Sequence, residues 1–235
     1  MAFVVVVWTA TPSSALYVWG AAWNNTGNAI GVKSTISEPQ TAYNGSLQRA
    51  YFIGTTLPNG DFMQAGYWDA SSSDGTCSGG KFGWFVAWLD DDGTSIWTDA
   101  EEVGGCGLTG NRTFELDRVS YGTGYLWQWT VSGSTIGDNM AEPNGQFAKS
   151  TVGYASEVLG TFTSHPLISL TEYHNAAQVK LGNGTWTTLG GMVYYDSPDA
   201  VCPPYYEKVL GTADAQIGYN SSYSGTCYSI GDTLW

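Results

Sequence analysis

Three short apolar runs lie between positions 50 and 89, and turn-forming residues separate them. The first run, Ala50–Thr55, leads to Pro58-Asn59-Gly60, and an Asn-Gly step accepts the positive backbone dihedrals of a tight hairpin turn. Asp61–Trp68 is predicted to be the return strand, and a Gly/Ser-rich loop separates it from Gly83–Leu89. The stretch therefore predicts three consecutive antiparallel strands.

A polar side chain lies in the middle of the return strand. Gln64 is predicted to share a face with Phe62 and Trp68, since successive side chains of a strand point to opposite faces. An uncharged amide beside large rings fits either a hydrogen-bonded core group or a positioned hydrogen-bond donor. These residues alone leave both interpretations open.

The chain before this region contains one continuously apolar run and two alternating runs. Phe3–Thr9 is rich in β-branched residues, which is typical of a strand covered on both faces. Thr11–Ser14 is predicted to be a linker. Leu16–Trp23 and Ile30–Ser37 are predicted to be two strands joined by a turn at Asn24–Asn28.

Further strand patterns follow the central region at regular spacing. Glu101–Gly110 is predicted to be a loop held by a cysteine, and Glu172–Lys180 fits either strand residues or a short helix. About a dozen strands without a convincing amphipathic helix predict an all-β antiparallel sandwich of jelly-roll type. The later predicted strands are Thr113–Ser120, Leu126–Val131, Thr151–Leu159, Leu167–Tyr173, Gln178–Leu181, Trp186–Tyr195, Tyr205–Leu210 and Asp214–Tyr219.

The length of 235 residues suits one domain with a sizeable core. We predict two parts, an N-terminal apolar strand and linker over residues 1–14 and a β-sandwich domain over residues 15–235. No Lys or Arg precedes Phe3–Thr9, and the run is short for a signal peptide. No apolar run reaches 18 residues, so no membrane span is predicted.

The excess of acidic over basic residues disfavours one class of binding partner. Eight basic and 21 acidic side chains give a formal charge of −13, which disfavours binding to nucleic acid. Near pH 3 most carboxylates would be protonated and their mutual repulsion would largely vanish. The composition is therefore compatible with an acidic extracellular medium.

Four cysteines lie in loop-like contexts without the C-x-x-C spacing of a zinc site. Disulfides are the better interpretation, and of the three possible pairings we favour the sequence-local one. It joins Cys77 to Cys106 and Cys202 to Cys227.

Five N-x-[ST] sequons also point to secretion and glycosylation. They are at Asn24, Asn44, Asn111, Asn183 and Asn220. Asp90-Asp91-Asp92 could be interpreted as a calcium-binding loop. However, three contiguous aspartates cannot all face one ion, and the ligands of a calcium loop occupy alternating positions. We therefore predict no metal and no cofactor.

Short motifs of the chain occur in an order that resembles a known family. The motifs are WGAAW at Trp19–Trp23, VKSTISEP at Val32–Pro39, YFIG at 51–54, FMQAGY at Phe62–Tyr67, GWFVAW at Gly83–Trp88 and GYASEV at Gly153–Val158. Together they resemble the glutamic peptidases, the eqolisins, over about residues 17 to 220. The segments Ile30–Trp68 and Val152–Leu159 are also similar to the plant glutamic endopeptidase neprosin.

The resemblance implies a concanavalin-like double sheet with a Gln/Glu dyad on its concave face. The matching positions are Gln64 in Met-Gln-Ala-Gly and Glu157 in Ala-Ser-Glu-Val. A carboxylate can take a proton from the attacking water, and an amide can donate to the oxyanion. Where eqolisins carry an acid in Trp-Tyr-Glu-Trp, this chain has Trp84-Phe85-Val86-Ala87-Trp88, so a supporting acid is absent. The residues predicted to bind the peptide substrate are Trp68, Trp84 and Trp88.

Two other functions stay open from the sequence. Phe3–Thr9 could fold onto its own sheet or fill the groove of a neighbouring copy, as in strand-complemented filaments, so an extracellular structural subunit is the main alternative. The 11 tryptophans also prompt a carbohydrate-binding or glycoside-cleaving jelly roll, although alternation in strands favours core positions for most of them. All of these functions predict an extracellular protein.

Overall fold

The structure is a computed structural model that describes residues 16–38, 48–57, 62–69, 82–89, 100–137, 140–141, 150–159, 171–188, 192–197, 205–211 and 214–219. All regular secondary structure within these ranges is β-strand. Phe3–Thr9 and Asp90-Asp91-Asp92 lie outside them. The strands are β1 Leu16–Ile36, β2 Gln48–Thr56, β3 Phe62–Asp69, β4 Gly83–Leu89, β5 Ala100–Gly104, β6 Arg112–Tyr121, β7 Gly124–Val131, β8 Ser134–Thr135, β9 Met140–Ala141, β10 Ser150–Leu159, β11 Thr171–Leu181, β12 Trp186–Thr188, β13 Met192–Ser197, β14 Tyr205–Gly211 and β15 Asp214–Tyr219.

The 21-residue strand β1 takes part in both sheets of the sandwich. Its first half pairs with β10 and β13, and its second half pairs with β6 and β11. The pairing with β10 shifts register between Asn24 and Ala29, which is where the strand passes from one sheet to the other. The predicted turn at Asn24–Asn28 is therefore wrong, because these polar residues form an irregularity within a continuous strand.

Two antiparallel sheets result from this arrangement. The first sheet has the order β13-β1-β10-β2-β3-β4-β5. The second has the order β14-β15-β11-β1-β6-β7, with β12 beside β11 and the short β8 and β9 beside β7. The predicted all-β sandwich is confirmed.

The hydrophobic core lies between the two sheets. The first sheet contributes alternate residues of its strands, among them Ile53, Ala65 and Trp88, and the second contributes Val32 and Leu116. Alternation in β3 sends Met63, Ala65 and Tyr67 into this core. Consequently the other residues of β3, including Gln64, lie on the face of the first sheet that is turned away from the second.

Two further predictions differ from the structure. Residues 101–104, predicted as part of a loop, belong to β5 and pair with β4. The helical alternative for Glu172–Lys180 is wrong, because β11 runs unbroken through this segment against β1. Within the predicted strand Trp186–Tyr195 the structure describes β12 and the start of β13, which pair with β11 and β1 respectively.

Charged side chains cover the outer face of the second sheet where β1, β6 and β11 meet. Lys180 Nζ donates to both carboxylate oxygens of Asp117, at 2.8 and 2.7 Å. Gly31 lies between them, and a Cβ there would come within 3.1 Å of Asp117 Oδ1 and of Lys180 Cβ. The missing side chain at Gly31 therefore leaves room for the ion pair that links β6 to β11.

Candidate functional site

Gln64 lies on β3 of the first sheet, with Gly54 opposite it on β2 and Ala87 opposite it on β4. The residue is fully buried, and neither amide atom has a hydrogen-bond partner among the described residues. Leaving a buried polar group unpaired costs about 1–3 kcal/mol. A polar group kept at that cost is a candidate for a functional role.

Aromatic side chains surround Gln64 on the same face. Directly opposite residues of paired strands share a face, so the register places Phe52, Trp68 and Phe85 with Gln64. We call this surface the Gln64 face. Phe85 packs edge-on against Phe52 at 6.1 Å between ring centroids, and its centroid lies 5.8 Å from that of Trp68. All four side chains are at most 2% exposed, although none belongs to the core between the sheets.

A glycine next to Gln64 allows β2 and β3 to approach closely. Gly66 lies opposite Phe52, and a Cβ at this position would come within 2.0 Å of the Tyr51 carbonyl oxygen. It would also come within 2.6 Å of the Phe52 Cα. Because both atoms belong to the backbone, no side-chain rotation could relieve the clash. The sequence motif Met-Gln-Ala-Gly therefore combines the amide with the residue that lets its strand pair.

Glu157 shares the Gln64 face but lies at a different level of the sheet. Its register partners are Ala50 on β2 and, through Ala50, Trp68 on β3. The β10 residue at the level of Gln64 is Gly153. Two strand spacings and four residues put about 16 Å between the Cα atoms of Gln64 and Glu157. That distance exceeds the combined length of the two side chains, so this register does not bring them into direct hydrogen-bond contact.

The three tryptophans predicted to bind substrate divide between the two faces of the first sheet. Trp68 lies on the Gln64 face. Trp88 belongs to the core between the sheets, and Trp84 packs against that core. The indole of Trp84 also lies below the chain after β5, where a Cβ at Gly105 would come within 2.5 Å of it. The structure therefore brings only Trp68 together with Gln64.

Sequence reasoning missed an acidic residue at the level of Gln64. Glu101 on β5 lies opposite Ala87 on β4, which in turn lies opposite Gln64. The three positions form one row across the sheet, with about 10 Å between the Cα atoms of Gln64 and Glu101. The signal was weak because β5 has only five residues, two of them adjacent glutamates, which disguise the strand alternation.

A buried tyrosine ties the chain after β5 to the underside of the site. The Tyr67 hydroxyl donates to the carbonyl oxygen of Gly110, and Gly110 N–H donates to Glu38 at 2.5 Å. Burial raises the pKa of Tyr67 well above its ordinary value, the charge of Arg112 opposes the rise, and that of Glu38 adds to it. Tyr67 therefore remains a hydrogen-bond donor across the ordinary pH range and acts as a structural anchor.

The remaining predicted sites are described only in part. Cys106 is disulfide-bonded, whereas Cys77, Cys202 and Cys227 lie outside the described residues, so the pairing stays a prediction. Asn111 and Asn183 are exposed, and Asn24 lies in β1. Asn44 and Asn220 lie outside the described ranges.

The described ranges contain neither a metal-binding cluster nor a membrane-spanning helix. No group of three or more His, Cys, Asp or Glu residues in them could hold a metal ion. Within the same ranges, no helix is long and apolar enough to cross a membrane.

Comparison with solved structures identifies similar folds. Scytalido-glutamic peptidase with a transition-state analog inhibitor superposes with a TM-score of 0.56 at 12% sequence identity, over 88% of this chain and 100% of that one. The same peptidase with a peptide-based transition-state analog gives a TM-score of 0.55 at the same identity and coverage. SCP-B, an eqolisin bound to the tripeptide Ala-Ile-His, gives 0.54, again at 12% identity and with the same coverage.

These similarities show that the chain has a glutamic-peptidase-like fold. Neither a protein-family model nor a curated protein sequence matches the chain. The resemblance to neprosin stays a prediction.

Proposed function

We propose that this chain is a secreted endopeptidase of glutamic type that cleaves peptide bonds in acid. The observation that carries the proposal is the fully buried amide of Gln64, which has no hydrogen-bond partner among the described residues, on the outward face of a glutamic-peptidase-like sheet. The similar structures were solved with peptide-like molecules, and the sequence motif around Gln64 resembles that of the family. Peptides or proteins are the proposed substrates.

The proposed reaction needs one amide and one carboxylate. The carboxylate takes a proton from water as the water oxygen attacks the peptide carbonyl carbon, and it later passes that proton to the leaving amine. The Gln64 amide donates to the oxyanion that forms on the carbonyl oxygen. Since Gln64 is fully buried, a substrate reaches the amide only when the Gln64 face is uncovered.

Glu157 is the carboxylate that the family resemblance assigns to this reaction. Its register position on the Gln64 face is compatible with contact to a substrate that lies along the sheet. The separation of about 16 Å from Gln64 requires the substrate to bridge the two groups, since they do not meet directly.

Incubation with denatured casein and with a Pro-containing peptide between pH 2 and 5 tests the proposal. The wild type is expected to cleave both, and Gln64→Ala is expected to lose activity by about a hundredfold to a thousandfold. Circular dichroism establishes that each variant is folded. A folded wild type that cleaves neither substrate at any of these pH values would contradict the proposal.

The aromatic character of the Gln64 face supports a second candidate, an extracellular filament subunit. Phe52, Trp68 and Phe85 form an apolar strip that suits the side chains of an extended strand. The N-terminal run Phe3–Thr9 has the composition of such a strand. In this proposal the run of one copy inserts along the Gln64 face of the next copy, which has to be uncovered first because its side chains are buried within one copy.

Deletion of Met1–Thr11 tests the filament candidate. The full chain is expected to form polymers in light scattering, and the truncated chain is expected to stay monomeric with its sandwich intact by circular dichroism. Addition of a synthetic peptide covering residues 1–11 should raise the melting temperature of the truncated chain. A full chain that is monomeric at every concentration, with unchanged thermal stability after deletion, would exclude strand exchange.

A further inference from the structure

We propose that Glu101, on β5, is the carboxylate that works with Gln64. This inference rests on the proposed peptidase function and names a residue other than Glu157 as the general base. Within the described strands of the first sheet, Glu101 and Glu157 are the acidic residues whose register places them on the Gln64 face. The two acids differ in their position along the strands relative to Gln64, and this difference decides between them.

The row that contains Gln64 favours Glu101. Ala87 lies between the two residues in this row and carries only a methyl group. About 10 Å between Cα atoms two strands apart lies within the combined length of one Gln and one Glu side chain. On the other side of Gln64 the same row continues through Gly54 and Gly153, neither of which offers a side chain.

The path to Glu157 is longer and more obstructed. Between the level of Gln64 and that of Glu157 lies the row of Phe52 and Phe85. These rings are buried and pack against each other at 6.1 Å. A water molecule activated at the level of Glu157 would therefore lie one aromatic row away from the amide that has to stabilise the oxyanion.

The absence of an acid from Trp84–Trp88 and the presence of Glu101 complement each other. The resembling family carries an acid in Trp-Tyr-Glu-Trp, and the matching segment Trp84–Trp88 of this chain carries none. Here an acid, Glu101, lies opposite Ala87 on β5, a strand that pairs with β4 alone among the described strands. Ala87, opposite Gln64, is small, and Glu101, on the next strand, can supply the negative charge.

The reaction balances with these two groups. Glu101 accepts a proton from water, the water oxygen bonds to the carbonyl carbon, and the carbonyl electron pair moves to the oxygen held by the Gln64 amide. As the electron pair returns, the C–N bond breaks and the proton passes from Glu101 to the leaving nitrogen. One water and one peptide bond give one carboxylic acid and one amine.

Activity of matched variants tests the assignment. Glu101→Gln is expected to lower kcat at pH 3–5 by at least about a hundredfold, with casein as substrate. Glu102→Gln is the matched control, because Glu102 is the next residue of β5 and lies on the opposite face. Glu102→Gln is expected to keep activity within severalfold of wild type. A folded Glu101→Gln variant with wild-type kcat would overturn the proposal.

A double-mutant cycle on thermal unfolding decides the question without catalysis. If Gln64 and Glu101 interact, the melting-temperature shift of Gln64→Leu/Glu101→Gln differs from the sum of the single shifts. The corresponding cycle with Glu157→Gln is expected to be additive. Additive shifts for Gln64 and Glu101 would overturn the pairing even if the protein were an active peptidase. An inert wild type with coupled shifts would reject the peptidase function and keep the pairing.

Discussion

Gln64 illustrates a conflict between stability and chemistry at a single residue. Its side chain has the volume of an apolar residue and is surrounded by rings, yet its amide finds no partner among the described residues. The sequence identified it because a motif resemblance pointed to it. The cost of its burial could not be predicted from the sequence, because that cost depends on the register of β2, β3 and β4.

We expect Gln64→Met to raise the free energy of unfolding by about 1 kcal/mol, because an unpaired buried amide is replaced by an apolar side chain of similar shape. The same change should abolish peptide cleavage, since the oxyanion loses its donor. Urea unfolding and the casein assay measure the two effects. A less stable Gln64→Met variant would show that the amide has a stabilising partner.

Gly66 is expected to tolerate no side chain. Gly66→Ala should lower the free energy of unfolding by about 3 kcal/mol, because the new Cβ would overlap the backbone of Tyr51 and Phe52. Gly124→Ala is the control, since its Cβ would meet nothing closer than the Tyr121 carbonyl oxygen at 3.9 Å. That control should change stability by about 0.5 kcal/mol or less. Equal effects in the two variants would argue against the β2–β3 register.

The position of Glu101 on the Gln64 face could not be predicted from the alternation of residues in the sequence. A five-residue strand with two adjacent acids has the composition of a solvated loop, and a hydrogen-bonded neighbour is needed to define its faces. The pairing with β4 supplies that neighbour and separates Glu101 from Glu102. Short edge strands are therefore the elements in which residue-level prediction of this site failed.

At the scale of elements, long alternating strands were predictable and the connection between sheets was not. The strands around Ala50–Thr55 and Thr113–Ser120 were predicted to within a few residues. Thr113–Ser120 alternates between apolar and polar residues, and Ala50–Thr55 is an apolar run that ends before a turn sequence. The course of β1 was missed because Asn24–Asn28 has the composition of a turn. Hydrogen bonding to β10 on one side of this segment and to β11 on the other keeps the backbone extended.

The ion pair between Asp117 on β6 and Lys180 on β11 gives a prediction at the scale of elements. Lys180→Met is expected to lower the free energy of unfolding by about 2 kcal/mol, because it leaves the largely buried Asp117 carboxylate without its two short hydrogen bonds. Lys180→Met/Asp117→Asn should lose less than the sum of the single effects. Urea unfolding measures all three variants. Additive losses would mean that the pair does not couple the strands.

At the scale of the whole molecule, the excess of acid shapes the response to pH. The formal charge of −13 predicts mutual repulsion at neutral pH that weakens in acid. Glu115, one of the described carboxylates, adds a specific contribution to the pH dependence of stability. Burial raises the pKa of Glu115 above 4.5, with the charge of Lys33 opposing the rise and that of Asp117 adding to it.

We expect Glu115 to make the protein less stable as pH rises. Because its pKa is higher in the folded than in the unfolded protein, the folded state binds more protons between the two values, and stability falls across that window. The contribution is fully present below pH 4.5 and is lost above the raised pKa. Urea unfolding of Glu115→Gln from pH 3 to 8 should show a weaker decline than wild type. An identical decline would contradict this origin.

The participation of β1 in both sheets also affects how the protein unfolds. A single backbone contributes hydrogen bonds to both layers, so neither layer can detach while the other keeps all of its own strands. Heat or mechanical force should therefore break the sandwich cooperatively, and tryptophans reporting on opposite layers should lose their native fluorescence together. Such a protein would resist the piecemeal opening on which proteases of its surroundings depend.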